Sequence, residues 1–263
     1  MNRKDWLIQI INAALKGGKE ILAVYNSDFE VETKADKSPL TEADKKAHIS
    51  IMNDLKITGL PVLSEEGRNI PYEERKNWKQ FWMVDPLDGT KEFVKRNGEF
   101  TVNIALIENG KSTMGVIYVP VTKTLYFSDN KAYKVQCSKF NVQSLDELIS
   151  NSQQLPIAQK RTNYVVVGSR SHMSEETTVF INKQKEKHNE VDILSKGSSL
   201  KLCMVAEGAA DAYPRFAPTM EWDTAAGQAI VIASGAQVIN WETKNTMQYN
   251  KANLLNSWFL VKR

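Results

Sequence analysis

Leu7, Ile10, Ile11, Ala14, Ile21 and Val24 recur at helical spacing, so the chain opens on an amphipathic helix over Asp5 to Tyr25, with Gly17-Gly18 as its weak point. Phe29 to Thr33 is a strand candidate. A polar loop from Lys34 to Asp44 follows, in which Ser38-Pro39 starts a helix running to Leu55 with Ala47, Ile51 and Leu55 inward. Pro61 to Ser64 is a brief apolar strand ending at Glu65-Glu66-Gly67, and Phe81 to Val84 is a buried one. Alternating segments at Phe100 to Glu108, Met114 to Val119 and Thr124 to Ser128 predict an antiparallel meander.

The second half alternates differently. Strands are expected at Tyr164 to Val167, Val191 to Leu194 and Trp258 to Val261, and helices at Glu175 to Lys187, Ser198 to Ala206 and Asp223 to Ala233. Residues 140–162 are polar and irregular. They divide the chain into an N-terminal lobe, 1–139, and a C-terminal lobe, 163–263, working as one unit.

Length fits this picture, because 263 residues suit one large α/β or α+β unit or two closely joined lobes. A net charge of +3 is too mild to argue for nucleic acid as a partner. The first helix is interrupted by Gln9, Asn12 and Lys16 and does not read as a signal peptide, while Gln228, Ser234, Gly235, Gln237 and Asn240 break the uncharged run from Thr224 to Trp241, so no membrane span is expected. Two distant cysteines, Cys137 and Cys203, fit a reducing cytoplasm and exclude a cysteine-rich zinc site. With only three histidines, catalysis must rest on carboxylates.

The carboxylates with the most to say follow the buried strand, in Asp85-Pro86-Leu87-Asp88-Gly89-Thr90. Pro86 sets the first corner of a turn, Gly89 lets the backbone leave it, and Asp85 and Asp88 then point to one side. Hard divalent cations select such oxygens, and the Leu87 carbonyl is one more candidate. A helix starting at Thr90 would turn its free N–H groups to the same place. The stretch also fits a surface turn whose aspartates satisfy local donors, whereas EF-hand spacing fails. Asp44, Glu65 and Asp223 likewise stand at element ends, although Asp44 also suits a helix surface, Glu65 a solvated loop and Asp223 an N-cap.

Glu65-Glu66, Asp85 to Thr90 and Trp222-Asp223-Thr224-Ala225-Ala226-Gly227, in that order, closely resemble the inositol monophosphatase superfamily of magnesium-dependent, lithium-sensitive phosphomonoesterases. Lys34 to Asp44, Lys91-Glu92-Phe93, Lys95 to Leu106, Gly197 to Lys201 and Tyr213-Pro214-Arg215-Phe216 narrow the resemblance to the bacterial CysQ-type 3′(2′),5′-bisphosphate nucleotidases. The resemblance implies a layered α-β-α-β-α sandwich and release of the 3′-phosphate of adenosine 3′,5′-bisphosphate (PAP) in sulfate assimilation. It also implies one magnesium ion on Glu65, Asp85 and the Leu87 carbonyl, a second on Asp85, Asp88 and Asp223, and room for a third. Asp44 and Thr90 would share the base role, with Glu65 as the alternative base. The nucleotide would meet Glu65, Leu87, Asp88, Gly89, Thr90, Ser169, His172, Gly197, Lys201, Arg215 and Asp223. Expected partners are PAP and its sulfated analogue, phosphoadenosine phosphosulfate, on a monomer or weak dimer in the cytoplasm or peripheral to the inner membrane face. Inositol or sugar phosphates are the rival substrates, and a non-catalytic nucleotide sensor is the rival class.

Overall fold

The computed structural model describes residues 1–33, 39–138, 141–157, 161–168 and 173–263. Its helices are α1 (Arg3–Tyr25), α2 (Glu42–Leu55), α3 (Tyr72–Arg75), α4 (Thr90–Val94), α5 (Leu145–Ser150), α6 (Glu175–Lys185), α7 (Leu200–Glu207) and α8 (Glu221–Ala233). A β1–β2 hairpin (Val31–Thr33, Pro39–Thr41) precedes a seven-stranded sheet in sequential order: β3 (Val62–Ser64), β4 (Gln80–Asp88), β5 (Thr101–Glu108), β6 (Lys111–Val119), β7 (Thr124–Ser128), β8 (Ala132–Gln136) and β9 (Gln153–Gln154). A five-stranded sheet, ordered β11-β10-β12-β14-β13, is built from β10 (Tyr164–Gly168), β11 (Val191–Ser195), β12 (Ala212–Arg215), β13 (Gln237–Asn240) and β14 (Phe259–Lys262).

Alternation along the seven-stranded sheet feeds two cores. Trp82, Val84, Val102, Ile104 and Leu106 pack with Leu7, Ile11 and Ile21 of α1 and Ile51 of α2. Phe81, Met83, Ala105 and Ile107 face the other way, onto Leu202 of α7 and Ile230 of α8, which also bury Val165, Tyr213 and Val261 of the second sheet. Phe180 and Ile181 of α6 cover that sheet's far side through Val166 and Ala212. The result is the expected α-β-α-β-α sandwich. Among the described residues no helix is long and apolar enough to cross a membrane.

The structure departs from the sequence reading at several points. Gly17-Gly18 is a packing surface within α1, since a Cβ on Gly18 would fall 2.5 Å from the Tyr118 ring. Helix α2 begins at Glu42, not at Ser38-Pro39. Pro39–Thr41 is extended, and Thr41 caps the helix reciprocally with Asp44, its backbone N–H donating to Asp44 Oδ2 at 2.8 Å. Ser38 lies outside the described residues. Segment 140–162 is not irregular throughout, because it carries α5, whose Leu145 and Leu148 join the first core, and β9. Pro214 hid β12, yet it pairs there with Leu260 of β14, while β10 meets β12 only at Val166–Ala212, so its missing N–H costs the sheet nothing on that side.

The most consequential difference is at the acidic motif. Strand β4 does not stop at Val84 but continues to Asp88, with a bulge in which Asp85 faces Asn103 and Asp88 faces Thr101. Residues three apart on a regular strand project to opposite faces. The extra residue restores the parity, and Asp85 and Asp88 both emerge on the face that carries Phe81 and Met83. Pro86, which cannot donate to a ladder, occupies the bulge.

Candidate active site

The carboxylates converge where β4 ends. Glu65 follows β3, its N–H tied to Val84 O at 3.1 Å, so the parallel β3–β4 pair sets Glu65 beside Asp85. Asp223 enters from α8, as the third residue of the helix and not the N-cap; its Oδ2 accepts the Met220 N–H at 2.9 Å. Asp44 and Asp85 are each only 1% exposed, which excludes a helix-surface role for Asp44.

Local donors do hold these groups, as the surface-turn reading expected: Leu87 N–H reaches Asp85 Oδ1 at 3.1 Å, and Thr41 Oγ1 reaches Asp44 Oδ2 at 2.7 Å. Each of these bonds engages one oxygen of a carboxylate. The other Asp44 oxygen, Oδ1, stands 3.3 Å from the Thr90 hydroxyl, which is also 3.4 Å from the Leu87 carbonyl. Gly89 makes this approach possible at φ 91°, a conformation that favours glycine, and α4 then starts at Thr90.

Electrostatics show an excess of negative charge at the corner. Burial first, then the charges of Glu65, Asp88 and Asp223 and a hydrogen bond with Glu65, push Asp85 well above the ordinary carboxylate range. Burial and the neighbouring Asp88 raise Asp223 to about 8. No group of three or more His, Cys, Asp or Glu side chains among the described residues meets the spacing that would hold a metal ion by itself. The donor set nevertheless fits a hard cation: oxygen ligands with excess negative charge, in the open arrangement that magnesium completes with water and substrate oxygen.

Two cationic groups, on α7 and at the end of β12, act on this corner. Lys201 of α7 is half-buried, and its Nζ donates to the Ser198 carbonyl at 2.7 Å. Burial lowers its pKa, while Asp88 opposes the shift. Arg215 donates to Pro218 O at 3.0 Å, and its charge acts on both Lys201 and Asp223. Gly197 stands farther back. Its N–H is taken by Glu99 Oε2 at 2.8 Å and a Cβ added there would fall 2.7 Å from Glu92 Cγ, so it shapes the loop against protein. Ser169 and His172 lie outside the described residues.

The sequence reading missed the polar set behind Asp88. Asp88 Oδ2 accepts from Ser198 Oγ at 2.6 Å, from Ser199 N–H at 2.6 Å and from Asn103 Nδ2 at 3.3 Å. Adjacent polar residues at the head of a helix were the available signal in Gly197-Ser198-Ser199, but nothing in the sequence names their partner.

Residues 2–260 match the inositol monophosphatase family. The chain is 44% identical over 260 residues, 97% of its length and 98% of the relative's, to the Salmonella typhimurium protein named 3′(2′),5′-bisphosphate nucleotidase CysQ. The crystal structure of CysQ from Bacteroides thetaiotaomicron, described as a bacterial member of that family, superposes with a TM-score of 0.91 at 49% identity, covering 99% of this chain and 97% of that one. The extragenic suppressor protein suhB from Bartonella henselae matches at a TM-score of 0.71 and 25% identity, over 97% of this chain and 92% of that one. With a match from end to end in sequence and a shared five-layer architecture, the chain belongs to the inositol monophosphatase family.

Proposed function

We propose that this chain is a magnesium-dependent phosphomonoesterase that hydrolyses the 3′-phosphate of adenosine 3′,5′-bisphosphate to AMP and phosphate. The observation that carries the reading is the pairing of a buried carboxylate–hydroxyl couple, Asp44 with Thr90, against four carboxylates that repel one another. Relatives at 44% identity named for this nucleotidase activity support the substrate class, and metal dependence is general in the family.

In this reading Glu65, Asp85 and the Leu87 carbonyl hold one magnesium ion and Asp85, Asp88 and Asp223 a second, with a third as an option. Bound there, the ions supply Lewis acidity toward water and neutralise charge on the transferring phosphoryl group. The protein's own groups move the proton. When the Thr90 hydroxyl donates to Asp44 Oδ1, its lone pairs are left to accept from a water, and the proton is relayed to Asp44. Glu65 is the alternative acceptor. Lys201 exchanges the Ser198 carbonyl for the phosphate that is not cleaved, with Arg215 as a weaker contact, Ser169 and His172 on the nucleotide side and Gly197 holding the loop from behind. Residues 1–139 thus supply most ligands and 163–263 the nucleotide contacts and Asp223. The sulfated analogue of PAP is a second substrate, lithium an inhibitor, and the working form a cytoplasmic monomer or weak dimer.

Phosphate release by the purified protein from PAP and from inositol 1-phosphate, with magnesium and with added lithium, tests this. Release from PAP that requires magnesium and falls with lithium is expected; equal or better release from inositol 1-phosphate would overturn the substrate.

A further inference from the structure

Asp88 is distinguished by how completely one of its oxygens is occupied. A carboxylate oxygen offers two lone pairs, and three donors, Ser198 Oγ, Ser199 N–H and Asn103 Nδ2, converge on Oδ2. Behind them, Thr101 Oγ1 lies 2.8 Å from both Ser198 Oγ and Ser199 Oγ, and Asn103 Oδ1 lies 2.9 Å from Thr101 Oγ1 and 3.0 Å from Ser199 Oγ.

Counting protons orders this set. Ser198 has one hydroxyl proton, directed at Asp88, so in its contact with Thr101 it must accept. Thr101 has one proton for two acceptors, Ser198 Oγ at 2.8 Å and Asn103 Oδ1 at 2.9 Å, and Ser199 donates to Thr101 or to Asn103 Oδ1. The Ser198 hydroxyl dipole points at Asp88 Oδ2. Ser198 holds its place at φ 53°, a conformation unfavourable to a residue with a Cβ. Its surroundings fix it there: Lys201 Nζ binds its carbonyl, and the preceding Gly197 is pinned by Glu99.

We propose that Ser198 is a positioning residue for the cation site: backed by Thr101, its hydroxyl joins the Ser199 N–H in saturating Asp88 Oδ2, so that Asp88 ligates through Oδ1 alone. Through this bond the loop that leads into α7 and Lys201 also sets the aim of a ligand carried by the other sheet. The proposal rests on Asp88 being a metal ligand, as in the function proposed above.

Outer partners of a ligating carboxylate typically shift metal affinity by about 10–100-fold. Magnesium chloride, without nucleotide, is titrated by calorimetry into the full-length wild type, Ser198→Ala and Ser198→Gly. Both variants are expected to bind magnesium about tenfold more weakly. Ser198→Gly lacks the hydroxyl but suits the backbone, so its metal-free melting temperature should stay at or above that of Ser198→Ala while its affinity falls equally, a split that a merely structural role would not produce. Thr101→Val, which keeps volume and leaves both serines in place, should lose less, and it decides the matter with Ser198→Gly if Ser198→Ala does not fold. Wild-type affinity in the folded variants, or a wild type that takes up no magnesium, would overturn the proposal. Weakened magnesium binding in the variants of a wild type that releases no phosphate from PAP would instead sink the substrate reading and leave Ser198 in its role.

Discussion

The acidic corner and the cationic groups beside it act on one another's charge but are balanced in opposite ways. Lys201 and Lys196 are already engaged within the protein, the first on the Ser198 carbonyl and the second on Glu99 at 3.2 Å. Asp85 and Asp223 have local donors, yet their burial and mutual repulsion hold both above the ordinary carboxylate range. One side is satisfied until a ligand competes for it; the other is strained until a cation arrives. Ion loading should therefore govern the stability of the fold, whereas the cationic groups should govern only how tightly substrate is held.

The largest test of this contrast is Asp88→Asn, which removes charge without changing volume. Phosphate release should fall by at least about 10²-fold, the scale for losing a group that stabilises developing charge. The metal-free melting temperature should hold or rise, by about 2–4 °C if roughly 1 kcal/mol of repulsion is relieved. Near-native turnover, or a large loss of metal-free stability, would break the comparison.

Thr90→Val comes next. Loss of the hydroxyl between water and Asp44 should lower kcat by about 10²-fold or more while leaving magnesium affinity near wild type, as stopped assays and calorimetry would check. Unchanged kcat would pass the base role to Glu65.

A third test uses pH. Asp223 titrates at about 8 in the fold against an ordinary 3.8. A carboxylate raised in this way favours the folded state at low pH, because the unfolded chain ionises first; stability is then lost as pH climbs from about 4 to about 8. Melting of the metal-free protein across that window should show a decline that Asp223→Asn reduces and saturating magnesium opposes. A decline of equal slope in Asp223→Asn would remove Asp223 as the cause.

The smallest effect belongs to the cationic groups. Lys201→Met should raise KM for PAP about tenfold, roughly 1.4 kcal/mol, with kcat changed less. A fall in kcat with KM constant would mean that Lys201 acts on the reacting phosphate and not beside it.

Legibility in the sequence followed the range of the interaction. Helix α1 and the β5–β7 meander could be read because their apolar periodicity is local, and Asp85 and Asp88 because their types and the nearby glycine are. Strand β9 and helix α5 were too short and polar to show a period, and Pro214 masked β12. The start of α2 was misplaced because Pro39 is a common first helical residue, whereas the reciprocal cap of Thr41 and Asp44 satisfies two backbone donors. The clamp on Asp88 was out of reach. Ser198 lies 110 positions away from its partner, and no local pattern encodes a contact made by packing one sheet's helix over another sheet's edge.

The bulge at Pro86 and Leu87 makes the motif tolerant of substitution in a way that it is not tolerant of change in length. Exchanging Leu87 for another apolar residue keeps both aspartates in view of α7 and α8. Inserting one residue between them, with the bulge kept, would carry Asp88 through the sheet into the apolar layer packed against α1 and α2, while deleting one would abolish the bulge and with it the placement of the Leu87 carbonyl beside Thr90. Insertions and deletions here should therefore be lethal to activity even where every acidic residue is retained, and an alignment that counts only those residues would miss the lesion.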